Sequence, residues 1–235
     1  MDPDLPGPLL RAGGRDHLRR GVAIAWRATL QATLLTIVAG IADAVGFITL
    51  GGVFAANMTG NTVLAGIAGA EGRYLDAANH LAPLAGFFVG CMIARLLLRL
   101  WHRPWIPILI EAGLLAGVGF LPIGIDPTVL IIALAMGLQA SAITHFAGAS
   151  VSTVVVTSTL ARTAEATLDW MWPAEPRKAL APVSTPRLLA LTWIGYLVGA
   201  AAGVLLLRET PWPLIAPAML LLPVLFLGPR RAPAA

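Results

Sequence analysis

Eight apolar runs, separated by short polar stretches, constrain the fold of this chain more than any other feature of its sequence. Most of them approach or exceed the ~20 residues that a helix needs to cross the hydrocarbon core of a bilayer. Only 12% of the residues are charged, about half of the ~25% typical of soluble domains. These features exclude a water-soluble enzyme and a disordered chain, and they predict an all-α, polytopic membrane protein. The runs lie near residues 28–52, 54–70, 79–100, 105–122, 127–147, 149–168, 187–207 and 211–228.

The polar stretches around these runs set the organisation of the chain. Basic residues lie at the ends of apolar runs and do not form one stripe, so we interpret them as topology signals and expect no nucleic-acid partner. Cytoplasmic loops are rich in Lys and Arg, and the arginines of the first 27 residues predict a cytoplasmic N-terminus. The expected units are a polar segment (1–27), membrane repeat 1 (28–126), membrane repeat 2 (127–229, with a Pro-rich loop at 170–187) and a tail (230–235).

Four short blocks recur in the same order in the two halves, which indicates an internal duplication. If the second and sixth runs enter and leave the membrane on one side, more Lys and Arg residues lie in the cytoplasm than if all eight runs cross. Each repeat then crosses three times, and the repeats are inverted; eight full crossings would make them parallel. We expect about six full transmembrane helices plus two polar helices that are broken, re-entrant or short. The aligned blocks are 41–44 with 137–140, 59–61 with 157–159, 86–99 with 195–208, and 104–122 with 211–229.

The second and sixth runs are unusually polar for segments in hydrocarbon, where an unpaired polar group is costly. We therefore expect them among other helices or along a cavity. If each begins a half-helix, its free N–H groups and hydroxyls can bind a small polar solute or an ion at the repeat interface. Alternatively, these side chains join helices by hydrogen bonds worth about 0.6 kcal/mol each. The candidate binding residues are Asn57, Thr59, Gly60, Asn61 and Thr62 in the first half and Thr157, Ser158 and Thr159 in the second.

Asp43 places a carboxylate well inside the first apolar run. A carboxylate there costs about 2.5–3.5 kcal/mol on insertion scales, so we expect it to face a cavity or a partner. One hypothesis is a proton or cation relay, and the other is a structural acceptor for the backbone amides of a neighbouring broken helix. Its counterpart in the second half, Gln139, keeps the hydrogen-bonding shape without the charge. Both residues belong to the candidate site.

Four segments of the chain match a known pattern. They are residues 40–47 (GIADAVGF), 50–54 (LGGVF), 57–63 (NMTGNTV) and 135–139 (AMGLQ). Together they resemble the YoaK-like family of bacterial inner-membrane proteins, which is classed as a domain of unknown function. The resemblance implies a multi-pass protein of the bacterial inner membrane, and it supplies no substrate.

Two further features concern helix packing. Arg95 and Glu111 lie equally far from Arg103 on the two arms of a predicted helical hairpin, which predicts an interhelical ion pair. The alternative is that Arg95 extends separately to the membrane interface. Stripes of small residues at 86–94 and 195–203 allow helices to pack closely, and such Gly-x3-Gly faces also offer a surface for a homo-oligomer.

The motifs of common enzymes are missing from the sequence. It has no phosphate-binding or dinucleotide-binding glycine loop, no His-Glu-x-x-His and a single cysteine, so we expect no cofactor, no metal and no enzymatic activity. Our first hypothesis is a transporter or channel-like protein for a small polar solute or ion, with its site at the repeat interface. The alternative is a membrane scaffold or accessory protein that transports nothing and whose polar residues only hold helices together.

Overall fold

A computed structural model of the chain describes residues 9–121, 124–146, 149–150, 153–154, 156–171 and 185–227. Within those ranges nearly all regular structure is helical, which confirms the all-α prediction apart from one small hairpin. The strands β1 (His145–Phe146) and β2 (Ala149–Ser150) pair antiparallel. The helices are α1 (Leu9–Thr49), α2 (Met58–Ala70), α3 (Tyr74–Trp101), α4 (Trp105–Phe120), α5 (Ile125–Ala142), α6 (Val156–Met171), α7 (Thr185–Glu209) and α8 (Ile215–Leu227).

Four of the described helices are long and apolar enough to cross a membrane. They are the Ala25–Thr49 part of α1, α3, α5 and the Arg187–Glu209 part of α7. The sequence predicted about six full spans, but α4 and α8 have only 16 and 13 residues, about 24 and 20 Å at 1.5 Å per residue. Pro104 precedes α4, and Pro122 follows its end. Because a proline disfavours helical backbone at the residue before it, Pro122 accounts for the extended conformation of Leu121 and for the end of α4 at Phe120.

Helix α1 extends beyond the predicted start of its apolar run. It begins at Leu9 and continues for 41 residues, so most of the polar segment predicted over residues 1–27 is helical. The second half of this helix is buried, with Leu35, Val38 and Ala42 fully shielded from solvent. Helix α1 is therefore the central helix of the core.

Glycine residues make possible the two closest helix contacts, which are those of α1 with α7 and of α3 with α5. A Cβ at Gly199 would lie 2.2 Å from the carbonyl oxygen of Ile37, and one at Gly90 would lie 2.1 Å from the carbonyl oxygen of Leu134. No side chain fits at such distances, so only glycine allows these backbones to approach. The sequence-predicted stripes of small residues therefore pack helices of the same chain, and an oligomer would have to use other surfaces.

Both glycine contacts join helices that run in the same direction. In the first, Gly195 faces Thr33 and Gly203 faces Ile41, so positions on α7 and α1 rise together. In the second, Gly86 lies against Leu130 just as Gly90 lies against Leu134. Each long helix of one half thus has its main partner in the other half of the chain.

The remaining helix contacts follow a regular pattern. Helix α2 packs on α3 as α6 packs on α7, and α4 packs on α5 as α8 packs on α1. The α1–α7 contact likewise corresponds to the α5–α3 contact, and α4 packs on α8. If each helix of the first half is matched with the helix four places later, every main contact has a counterpart between the matching helices. This arrangement brings the polar helices α2 and α6 to the boundary between the halves.

Candidate functional site

Asp43 is the centre of a buried hydrogen-bond network that joins three parts of the chain. The side chain is 3% exposed. Its Oδ1 accepts hydrogen bonds from the backbone amides of Ala56 (2.5 Å) and Asn57 (3.2 Å), and its Oδ2 accepts one from the hydroxyl of Tyr196. The carboxylate thus joins α1, the non-helical segment before α2, and α7. The two amide contacts are those that the structural-acceptor hypothesis predicts for the segment ahead of α2.

The start of α2 is fixed by Asn57, its N-cap residue. The side-chain Oδ1 accepts a hydrogen bond of 3.0 Å from the amide of Gly60, which satisfies one of the N–H groups left free at a helix start. A Cβ at Gly60 would lie 2.9 Å from the Asn57 side-chain nitrogen and from the ring of Phe54. Because glycine has no Cβ, the Asn57 side chain and the Phe54 ring can both pack against the first turn of α2.

Asn61 holds the extended segment before α2 in place. It is fully buried; its Oδ1 accepts from the amide of Phe54 at 2.9 Å, and its Nδ2 donates to the carbonyl of Phe54 at 2.8 Å. The side chain thereby replaces the backbone partners that a strand or helix would give to Phe54. Non-helical backbone within a membrane protein requires such partners, and Asn61 supplies them to Phe54.

A cavity of about 670 Å³ opens beside this network. Its polar lining comes from both halves of the chain, with Asn57 and Thr59 on the α2 side, Thr157 on α6 and Tyr196 on α7. No charged side chain is among its lining residues in the described ranges. The rest of the wall includes Phe47, Phe54 and Phe87, and the rings of Phe47 and Phe54 stack with centroids 4.7 Å apart.

Gln139 and Thr62 are not among the described lining residues of this cavity. Gln139 is fully buried; its Nε2 donates to the carbonyl of Leu35 at 3.0 Å and to the hydroxyl of Thr153 at 3.2 Å. Thr62 is exposed and donates to the carbonyl of Met58.

Of the second polar run, Thr157 is described in full, whereas the side chains of Ser158 and Thr159 lie outside the described part of the chain.

Tyr196 is the site residue that the sequence reasoning missed. It lies between Gly195 and Gly199, in the run that we interpreted only as a stripe for helix packing. Its hydroxyl binds Asp43, while the same residue lines the cavity. A signal was present, because a tyrosine inside an apolar span needs a partner for its hydroxyl, and Tyr196 is one of only two tyrosines in the chain.

The predicted ion pair between Arg95 and Glu111 is wrong. Glu111 is fully buried, and neither of its carboxylate oxygens has a hydrogen-bond partner, whereas Arg95 is exposed on the outer face of α3. Helix α3 turns its glycine face and the buried Ala94 toward α5, and it contacts α4 very little. The prediction assumed that equal depth on a helical hairpin brings two side chains together. Arg95 and Glu111 instead lie on helix surfaces that do not face each other.

Comparison with known proteins identifies the family of the chain. A family model described as "Protein of unknown function (DUF1275)" matches residues 31–227. The chain belongs to this family. Among curated proteins, the UPF0700 transmembrane protein YoaK of Bacillus subtilis (strain 168) is 34% identical over 191 residues, which cover 76% of this chain and 83% of that protein. No solved structure matches.

These matches confirm the YoaK-like resemblance that the sequence motifs indicated. Together with the long apolar helices, they establish a membrane protein. The family match extends from within α1 to the end of α8, so it includes the whole described lining of the cavity and the Asp43 network.

Proposed function

We propose that this member of the family is a transporter or channel-like protein for a small polar solute, with the binding site in the cavity between α2 and α6. The observation that carries the proposal is that the two polar runs, which occupy equivalent places in the two halves, contribute to one cavity through Asn57, Thr59 and Thr157. Transporters built from inverted repeats bind their substrates at the interface of the repeats, where discontinuous helices begin.

Inverted repeats are part of the proposal, and the packing of α4 and α8 supports them. Gly119, near the end of α4, lies beside Ile215, the first residue of α8. The rings of Phe120 and Trp212 are also close, with centroids 5.9 Å apart. The two helices therefore run antiparallel, as a twofold axis in the membrane plane requires. An axis along the membrane normal would leave them parallel.

The chemistry of the lining favours an uncharged solute over an ion. Amide and hydroxyl groups both donate and accept hydrogen bonds, so Asn57, Thr59 and Thr157 can bind hydroxyl, amide or carbonyl groups. A bare ion would need opposite charge or a ring of carbonyls, and no charged side chain is among the described lining residues. The aromatic wall adds an apolar surface for the rest of the solute.

For the topology, we propose the bacterial inner membrane with the N-terminus in the cytoplasm. Arginines are frequent in the first 27 residues, and cytoplasmic segments are rich in such residues. Three crossings in each half would then use α4 and α8 as short spans. We propose no enzymatic activity, cofactor or nucleic-acid partner for this protein.

A second candidate function is a membrane scaffold that transports nothing. The observation that favours it is that Asp43, Asn61 and Gln139 all form intramolecular hydrogen bonds. In that case the polar residues stabilise the packing of the helices, and the cavity is a packing feature that no solute crosses.

Thiol labelling separates the two candidates without knowledge of the solute. Cys91 is the single cysteine, so Cys91→Ser gives a background for Thr157→Cys and for Ala135→Cys, a fully buried control position on α5. A membrane-impermeant methanethiosulfonate is applied from each side of oriented vesicles. The transporter proposal predicts labelling at position 157 and none at 135. No labelling at 157 from either side favours the scaffold.

Osmotic re-swelling of proteoliposomes then tests transport itself. Vesicles shrunk by urea or glycerol should re-swell faster with the protein than without it, and Thr157→Trp should abolish the difference by filling the cavity. Full activity of the Trp variant would contradict the proposed route.

Asp43→Asn tests the proton-relay hypothesis in the same assay. The asparagine keeps an acceptor for the two amides and can donate to the Tyr196 oxygen, so the variant should fold. A relay predicts that the pH dependence of the flux disappears, whereas a purely structural acceptor predicts that the flux and its pH profile are unchanged.

A further inference from the structure

The outer face of α3 carries a recess of about 460 Å³ that is separate from the cavity. Its described lining is Val89, Met92, Ile93, Arg95, Leu96 and Arg99. Spacings of three and four residues place these side chains on one face of the helix. We call this recess the α3 groove. Val89, Met92 and Ile93 lie toward the middle of the helix, and Arg95, Leu96 and Arg99 lie nearer its C-terminal end.

Among the described residues, no carboxylate pairs with the two arginines of the α3 groove. Both are exposed, and the ion pairs of the described residues involve Arg73, which binds Glu71 and Asp76 at 2.6 Å. The carboxylate that the sequence suggested for Arg95 is buried elsewhere. Two guanidinium groups one helical turn apart therefore form a positive site open to the surroundings of the protein.

The position of the α3 groove along the helix places these charges near the membrane surface. Helix α3 has 28 residues, about 42 Å at 1.5 Å per residue, whereas the hydrocarbon core is about 30 Å thick. The excess of about 12 Å, shared by the two ends, places the last turn with Arg99 in the headgroup region, and the long side chain of Arg95 extends toward it from one turn deeper. Trp101 and Trp105 are exposed at this end, as is typical of residues at a membrane interface.

We propose that the α3 groove binds one anionic phospholipid, with its phosphate on Arg95 and Arg99 and an acyl chain along Val89, Met92 and Leu96. Arginine binds phosphate oxygens through two parallel N–H donors, and two arginines give a phosphodiester more donors than one side chain provides. The carbons of a lipid tail match the apolar part of the groove. A zwitterionic lipid is disfavoured because its ammonium group adds a positive charge beside the guanidinium groups.

Native mass spectrometry of the purified full chain tests this proposal, which does not depend on the proposed transport. The protein is titrated in detergent with dioleoyl phosphatidylglycerol or dioleoyl phosphatidylcholine. The test variant is Arg95→Gln/Arg99→Gln. The matched control is Arg103→Gln/Arg208→Gln, which removes two exposed arginines outside the groove. Thermal unfolding and size-exclusion profiles verify that each variant is folded.

We expect one phosphatidylglycerol to remain bound to the wild type and to the control, and to bind at least tenfold more weakly to the test variant. Glycerol phosphate should not displace it, because the soluble headgroup lacks the acyl chain. Equal retention by the test variant, equal loss from the control, or equal binding of phosphatidylcholine would each overturn the proposal. Displacement by glycerol phosphate would show a simple anion site and would overturn the acyl-chain contact.

Discussion

Replacing Gly90 by alanine tests the glycine-dependent packing directly. The added Cβ would lie 2.1 Å from the carbonyl oxygen of Leu134, and real Cβ atoms essentially never approach within 3.0 Å of such a neighbour. The backbones of α3 and α5 must therefore separate by about 1 Å, and a gap of that size forfeits a quarter to a half of each dispersion contact. Overpacking of this kind costs about 1–3 kcal/mol.

Gly113→Ala is the matched control, since a Cβ at that position in α4 meets nothing within 4 Å. Alanine is the better helix former by about 0.5–1 kcal/mol, so this control should be neutral or stabilised. Thermal unfolding in micelles, followed by tryptophan fluorescence, should show a Tm lowered by roughly 2–12 °C for Gly90→Ala, at about 2–4 °C per kcal/mol for a chain of this size. Equal Tm values for the two variants would refute the packing argument.

Two further predictions concern buried polar side chains. Asn61→Ala removes both hydrogen bonds to the Phe54 backbone and should lower the free energy of unfolding by about 1–3 kcal/mol; Thr62→Ala, at an exposed site, should change it by less than about 0.5 kcal/mol. Glu111→Met replaces a buried carboxyl that has no partner by an apolar side chain of similar length, and it should raise the free energy of unfolding by about 1–3 kcal/mol. A fall on Glu111→Met would mean that the carboxyl binds a partner in solution.

The positions of the helices were predictable from the sequence because the solvent is hydrocarbon. An apolar run must be helical there and needs a certain length, so the predicted runs correspond to helices α1 to α8. The lengths of α4 and α8 were overestimated because apolar residues near Pro122, and in the stretch before Ile215 that contains Pro211 and Pro213, were counted as span. Apolarity alone does not distinguish a helix from an apolar turn.

The candidate site was predictable in outline only. The density of Asn and Thr in the two polar runs identified the region, and Asn57 and Thr157 do line one cavity. Asn61 and Gln139 instead form internal hydrogen bonds. Whether an amide faces a cavity or a backbone carbonyl depends on the rotation of each helix about its axis. For α1 and α7, that rotation is set by glycine contacts between distant helices, which also place Tyr196 beside Asp43.

The bond between Tyr196 and Asp43 joins residues that are 153 positions apart in the chain, and this separation has a consequence for biosynthesis. At about 5–20 residues per second, the ribosome needs roughly 8–30 s after Asp43 to produce its partner. Throughout that interval the face of α1 that α7 later covers lacks its final partner, and so does Oδ2 of Asp43, although Oδ1 can already bind the amides of Ala56 and Asn57. Neither half of the chain can complete its own packing, so assembly of the core must wait until nearly the whole protein has been synthesised.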